Sequence, residues 1–347
     1  MSALLNSQEV TTERPSARRA RWGATQYLAL IAVPLLAYEG WTLTAWLASH
    51  PHAVTAGRDA YSLSWWWARC IEFGAVALAL TLLVQAIQQS RRAGRASFEL
   101  KLWIALLLTS FWDSFTNVVQ PIWFYSSDFI NLNEWWGHAP GFISPAGGSE
   151  PFPIVALVFL YPCFVLESRL AAGLWARLRR RSPAMSPARL LGIGWLSALA
   201  LGSAISWTFI GPHLWAGPGM GTMLVNTNDY RWSIAEFLYV GTWSVTVCSL
   251  RLFVNEHGES LAERGLEHLP RRAAAAVSTM AMTAWCSLAV IVYSLGVTAT
   301  GFYAHAYPTG YPSHLPNVVC NIPGDPSAQI SAYGPCPGSP GFRVPLK

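Results

Sequence analysis

The sequence predicts an all-α, polytopic bundle of about seven transmembrane helices, and three observations predict it. Hydrophobic residues make up 52% of the 347 and charged residues only 12%, about half the charged share of a soluble domain. Mean hydropathy is +0.31, and apolar runs recur from residue 27 to residue 303 without a gap that a soluble domain would fill. Basic residues fall mainly between alternate runs, as in cytoplasmic loops of membrane proteins. A pI near 9.0 therefore reports orientation in a membrane and gives no reason to expect nucleic acid.

The first 26 residues are mostly polar, with Arg14, Arg18, Arg19 and Arg21 ahead of the first run. Such a start mimics a signal peptide, but the run is long and more follow it, which predicts an uncleaved first helix behind a basic cytoplasmic tail. The runs cover residues 27–48, 62–88, 101–121, 152–175, 190–210, 233–253 and 274–303. Each meets the requirement of about 20 residues for a helix crossing the hydrocarbon, and the second and last are long enough to tilt or leave the bilayer at one end. Arg91, Arg92, Arg95 and Lys101 separate runs two and three. Arg177, Arg179, Arg180, Arg181 and Arg189 separate four and five, and Arg264, Arg271 and Arg272 separate six and seven. Seven crossings put all three segments on the side of the N-terminus, so the N-terminus is expected inside and the C-terminus outside.

The exterior segments 122–151 and 211–232 are long and aromatic. The first holds Trp123, Tyr125, Trp135, Trp136, His138 and Phe142 before the turn formers Pro145, Gly147 and Gly148; the second holds His213, Trp215, Gly217 to Gly221, Asn226, Asn228 and Asp229. Two readings fit: interfacial loops with tryptophans in the headgroup belt, or lids over an outward pocket. The tail from 304 to 347 is rich in Pro and Gly and belongs outside. An oxidising exterior permits a Cys320–Cys336 disulfide, which spacing alone does not establish. Cys70, Cys163, Cys248 and Cys286 fall in apolar runs as small packing residues.

Ionisable groups inside spans are costly and mark interior pairing or a cavity. Glu39, Arg69, Glu72, Asp113 and Glu236 are such groups, and the topology places all five between the middle of the bundle and its exterior face. Arg69 and Glu72 are three apart and share a helix face; Asp113 and Asn117 are four apart, with Trp112 beside the carboxylate. A neutral acid and an ionised base in one pocket suit proton-transfer chemistry on an apolar molecule. Asp113, Glu72 and Glu39, with Asn117 in support, are the catalytic candidates. Arg69, Trp112, Trp136, His138, Asn228, Asp229 and Glu236 are the candidate substrate contacts. Each has a plainer reading: a structural Arg69–Glu72 ion pair, a Glu39 hydrogen bond between helices, a packing role for Asp113, and Glu236 as a cap favoured by the helix dipole. The Trp65–Trp66–Trp67 triplet reads as an interfacial anchor. The exterior histidines have no ligand rhythm, so no metal is expected, and no phosphate-binding or metalloprotease motif is present.

The length, the basic N-terminus, the Trp112–Asp113 pair, the Asn131–Trp136 segment with its Pro/Gly turns, the Asn226–Asp229 segment and the sequence YPSHLPNVVCN from Tyr311 to Asn321 together resemble the AveC spirocyclase family of actinobacterial membrane proteins, over most of residues 25–325. The resemblance implies late polyketide tailoring: closure of a spiroketal from a dihydroxy-ketone, with an influence on dehydration beside that ring. It transfers no catalytic residue. The resulting expectation is a cofactor-independent cyclase or dehydratase of the cell membrane, acting on an apolar polyketide or terpenoid, with membrane lipid as its surroundings. A small-molecule transporter or export accessory is the first alternative, although no inverted repeat is visible, and a membrane sensor or structural partner is the second.

Overall fold

A computed structural model describes residues 22–55, 62–118, 123–142, 150–217, 219, 221–227, 231–303 and 314–315. Most of the basic tail, Asn228, Asp229, Cys320 and Cys336 lie outside the described residues.

Each apolar run holds a helix: α1 (Ala24–Ala48), α2 (Leu63–Ala93), α3 (Phe98–Thr109), α4 (Ile154–Arg181), α5 (Pro187–Ile210), α6 (Ile234–Ser249) and α7 (Arg271–Thr300). Local chemistry sets several of the ends. Ser62, Ser97 and Ser186 accept first-turn N–H groups of α2, α3 and α5 through their hydroxyls, and Pro187 occupies the opening turn of α5. Gly94 closes α2 in the left-handed region at φ 60°, a conformation that glycine adopts without a Cβ penalty.

Five of these helices, α1, α2, α4, α5 and α7, are long and apolar enough to cross a membrane. The other two differ from expectation. α3 has only 12 residues before the chain tightens at Ser110 into a 3-10 helix that runs to Asn117. Two side chains mark the change: Thr109 Oγ1 donates to the Ala105 carbonyl at 2.8 Å and Ser110 Oγ to the Leu107 carbonyl at 2.6 Å, and such back-bonding bends helices. The α and 3-10 stretches together extend about 34 Å, comparable with the roughly 30 Å of hydrocarbon. α6 spans 16 residues and ends at Ser249, with a turn at Leu250 where the apolar run continues.

α7 is the central post, packed on α1, α3 and α6, while α2 lies on α4 and α5 on α6. The α5–α6 approach depends on small residues: a Cβ on Gly202 overlaps Val240, and one on Gly241 meets Leu199 at 3.1 Å. At the basic end, residues 250–270 lie across the bundle. Thr25 Oγ1 donates to the Leu261 carbonyl at 2.9 Å, Gln26 Nε2 to the Gly265 carbonyl at 2.8 Å, and Lys101 pairs with Glu263.

At the other end the aromatic segments fold back as a cap. β1 (Phe124–Tyr125) pairs antiparallel with β4 (Trp215–Ala216), joining the two loops, and β2 (Leu132–Asn133) pairs with β3 (Pro151–Phe152). β5 (Met223–Asn226) and β6 (Arg231–Ser233) make a hairpin leading into α6. Ser126 N donates to the Leu214 carbonyl and Ser127 N to that of His314, each at 2.8 Å. Belt positions for Trp135 and Trp136 are overturned: both are buried, Trp135 stacked on Phe111 at 5.4 Å and Trp136 on Phe142 at 5.0 Å. The reason is that the cap turns its aromatic face onto the 3-10 segment, where burial is worth more than an interfacial position. Trp66 and Trp67 stay exposed, as an anchor requires.

Candidate functional site

The 3-10 segment carries Asp113 to the junction of α4, α6, α7 and the cap. Tyr161, on α4 one residue before Pro162, donates its hydroxyl to Asp113 Oδ1 at 2.8 Å; Tyr125, on β1, donates to Oδ2. Both carboxylate oxygens are thus held by neutral donors. Burial, and next the adjacent Asp113, push the Tyr125 phenol well above its usual range, so it remains a donor.

Asp113 borders a cavity of about 70 Å³ lined also by Trp123, Tyr125, Trp215, Trp232, Glu236 and Tyr293. Glu236 is a second carboxylate on the same space. It closes a capping box at the start of α6, where Ser233 Oγ accepts Glu236 N at 3.2 Å and the carboxylate accepts Ser233 N at 3.5 Å. Capping and cavity lining are compatible, because only one carboxylate edge is used by the cap. The remaining walls are π faces: Trp215 stacks on Phe209 at 4.5 Å and meets Trp123 and Tyr125 edge-on.

The expected convergence of Glu39, Glu72 and Asp113 is not what the fold brings together. Glu39 lies on the α1 side of the 3-10 segment, accepting the Trp112 indole N–H at 2.6 Å, with Tyr38 stacked on the same indole at 5.6 Å. Consecutive residues of one coil diverge, so Trp112 turns toward α1 while Asp113 turns toward α4. Glu72 is farther off, under the cap: it pairs with Arg69 at 2.9 Å and accepts Ile130 N at 2.6 Å, while Arg69 donates to the Asp128 carbonyl at 2.6 Å. Neither Glu39 nor Glu72 lines the cavity.

Asn117 grips the backbone of Trp123 at both ends, donating to its carbonyl at 2.7 Å and accepting its N–H at 2.9 Å. It thereby positions a cavity wall and does not touch the Asp113 carboxylate. Trp136 donates to Ser114 Oγ at 2.6 Å, and His138 Nε2 lies 3.1 Å from Ser49 Oγ at the end of α1, away from the cavity. Arg69 also sits over the Trp65 ring at 5.2 Å.

Sequence reasoning named Tyr125 and Trp215 only as members of the long aromatic segments and passed over Tyr161, Tyr293 and Trp232; Tyr125, Trp215, Trp232 and Tyr293 line the cavity, and Tyr161 holds Asp113 without lining it. Tyrosines in aromatic or apolar runs carry no spacing signal; the one available hint was Tyr161 beside a proline within a span, where a helix is open to irregular contacts. Two more acids lie near the site: Glu134, weighed in the sequence only as a metal-ligand carboxylate, and Glu150, which no pattern marked. Glu134 and Glu150 are both buried in the cap, with Glu134 N donating to the Glu150 carbonyl at 3.0 Å. Burial first, then Glu150 and Asp113, push the Glu134 carboxyl well above its usual range, against a hydrogen bond from Ser114. Among the described residues no three His, Cys, Asp or Glu side chains are gathered in a way that could hold a metal ion.

Residues 93–316 match the family model described as "Spirocyclase AveC-like". That is more than half of the chain, and the chain belongs to this family. No curated protein and no solved structure matches it. The matched region includes Asp113, Tyr125, Tyr161, Glu236 and Tyr293, whereas Glu39, Arg69 and Glu72 precede it.

Proposed function

We propose that this AveC-like spirocyclase family member is a multi-pass enzyme of the cell membrane that closes a ring, with loss of water, on an apolar polyketide or terpenoid bearing a ketone and hydroxyls. Membership of the family supports a cyclase-type function. The single observation that carries the finer reading is that Asp113 and Glu236 border one cavity whose other walls are tryptophan and tyrosine rings. The reading includes seven crossings with the basic end in the cytoplasm, so the cavity opens toward the outer half of the membrane.

Spiroketal closure makes a concrete case. Asp113, as the acid, gives its proton to the ketone oxygen while the first hydroxyl adds to the carbonyl carbon and releases its proton to the Glu236 carboxylate. The resulting hemiketal hydroxyl is then protonated by Glu236 and leaves as water, giving an oxocarbenium ion. The second hydroxyl attacks that carbon, and its proton returns to Asp113. One C=O π bond and one C–O bond are broken, two C–O bonds form, one water is lost, and both acids end as they began. No cofactor is needed, because positioned proton transfer and proximity supply the acceleration. The faces of Trp123, Trp215 and Trp232 suit the cationic stage, since aromatic quadrupoles attract positive charge, and expulsion of bulk water protects the ion from capture. About 70 Å³ takes the reacting carbon and its oxygens, with the apolar remainder of the substrate lying along the bundle.

In this reading Tyr125 and Tyr161 orient Asp113. Asn117, Trp112, Trp136 and Glu39 fix the 3-10 coil and its wall, and Arg69 and Glu72 hold the cap. The test is reconstitution of the purified chain in liposomes with a dihydroxy-ketone polyketide, followed by mass spectrometry. A product lighter by one water is expected from the native chain and not from D113N. Flux of the unaltered compound into sealed vesicles, with no product, would overturn the enzyme reading in favour of transport.

A further inference from the structure

A second cavity, of about 780 Å³, lies at the basic end, far from Asp113 along the bundle axis. It is bounded by the α2–α3 turn, the segment 257–269 and the first two turns of α7. Three features of its lining have no use in the reaction proposed above.

The first is the start of α7. Pro270 occupies the cap position and offers no side-chain acceptor, the first turn holds no acid, and the helix opens on Arg271 and Arg272. The amides of a first turn have no partners within the helix, and the dipole there disfavours cations and favours an anion. Arg95, also exposed, reaches the same cavity from the α2–α3 turn. An anion at this point satisfies the amides and offsets the two arginines together.

The second feature is Ser278, two turns along α7. This residue lines the cavity, is 1% exposed, and its Oγ has no hydrogen-bond partner among the described residues. A buried hydroxyl without a partner costs about 1–3 kcal/mol, and the space this residue borders is the cavity.

The third feature is the opposite charge on the facing wall. Lys101 and Glu263 are spent on each other, which leaves Glu267 and Glu259, the latter also accepting Asn255 Nδ2 at 2.8 Å, facing the space with Arg95, Arg271 and the imidazole of His257. Two arginines and a histidine set against two carboxylates disfavour a polyanion and suit a zwitterion. Phe98, Leu266 and Leu269 add apolar lining, and the helix ends place the cavity where a membrane meets water.

We propose that this cavity binds the headgroup of a zwitterionic phospholipid of the ethanolamine type. The phosphate lies on the α7 N-terminus between Arg271 and Arg95, the ammonium turns to Glu259 and Glu267, and Ser278 donates to a glycerol ester carbonyl. The site is independent of the Asp113 cavity and of the reaction assigned to it.

The test uses the full chain, purified in a nonionic detergent and stripped of lipid. It is titrated by calorimetry with dihexanoyl phosphatidylethanolamine, dihexanoyl phosphatidylglycerol and inorganic phosphate. Saturable binding of the ethanolamine lipid is expected, at least about tenfold tighter than either other probe. Arg95→Gln with Arg271→Gln should weaken it about tenfold or more, and Ser278→Ala a fewfold. Glu259→Gln with Glu267→Gln should remove the preference over the glycerol lipid. Arg271→Gln alone, at an exposed side chain, serves if the double variant does not fold. Equal binding of phosphate or of the glycerol lipid by the native chain would overturn the assignment, as would ethanolamine-lipid binding indifferent to the arginine substitutions.

Discussion

The two ends of the bundle treat their carboxylates in opposite ways. At the basic end Glu99 accepts Arg251 at 3.1 Å with Arg169 at 3.8 Å, and Glu263 pairs with Lys101. At the capped end Asp113 is held by two phenols, Glu39 by an indole, and Glu236 by a serine and its backbone. Glu72 departs from that pattern by pairing with Arg69, and it also accepts the cap backbone at Ile130 N. A carboxylate matched to a cation is committed to its charge, whereas one held by neutral donors can exchange a proton at small electrostatic cost. The difference separates groups that hold the fold from groups available for acid–base work.

The comparison breaks most visibly at Asp113. D113N should keep the fold and lose about 10²–10⁴-fold in turnover, the usual worth of a positioned acid; near-native turnover in the liposome assay would remove Asp113 from that role. Its counterpart at the other end is R251M, which leaves Glu99 only the longer contact to Arg169 at 3.8 Å and should destabilise the protein by about 1–3 kcal/mol. Thermal denaturation should register that loss, while turnover per folded molecule at low temperature stays unchanged. E236Q tests the second acid. It retains an acceptor for Ser233, so melting should shift little, yet turnover should fall about 10–100-fold.

Glu134 sharpens the contrast through pH. Its folded-state pKa is raised, so the folded chain binds a proton that the unfolded chain releases at lower pH. Stability therefore falls as pH climbs through the window between the unfolded and the higher folded value, by up to about 1.4 kcal/mol per unit of separation. Hydrogen exchange of cap amides across pH 5–8 should show that slope in the native chain and a shallower one in E134Q. The smallest effect belongs to E39Q, whose amide oxygen can still accept the Trp112 indole; turnover within about threefold of native is expected. A large loss in that variant, with Trp112 fluorescence unchanged, would make Glu39 a participant in proton transfer after all.

Most of the helical layout was legible because spans obey a rule of length and composition that one residue barely perturbs. The basic segments were legible for a similar reason: Arg91, Arg179 and Arg271 mark helix ends where solvent is needed. The coil at Ser110 was not, since it depends on two hydroxyls choosing carbonyls within their own turn. The cap was hidden by brevity. β1 and β4 have two residues each and meet across some 90 residues of chain, too little pattern for alternation to register. Asp113 stood out as a lone acid in an apolar run, but its companions did not, because Tyr125 and Tyr161 look like any other aromatic until a fold aims their hydroxyls. Glu39 and Glu72 were grouped with it by depth along the axis, and depth says nothing about which way around a helix a side chain points.

The eight residues that carry Asp113 are wound in the tighter of two available screws. Its bonds have poorer geometry, and natural stretches seldom exceed four residues. Rewinding Ser110–Asn117 to the ordinary pitch would shorten it by about 4 Å and rotate each successive residue by roughly 20° less, withdrawing the carboxylate from Tyr161. The contact between Asp113 and Tyr161 is therefore coupled to the pitch of this segment.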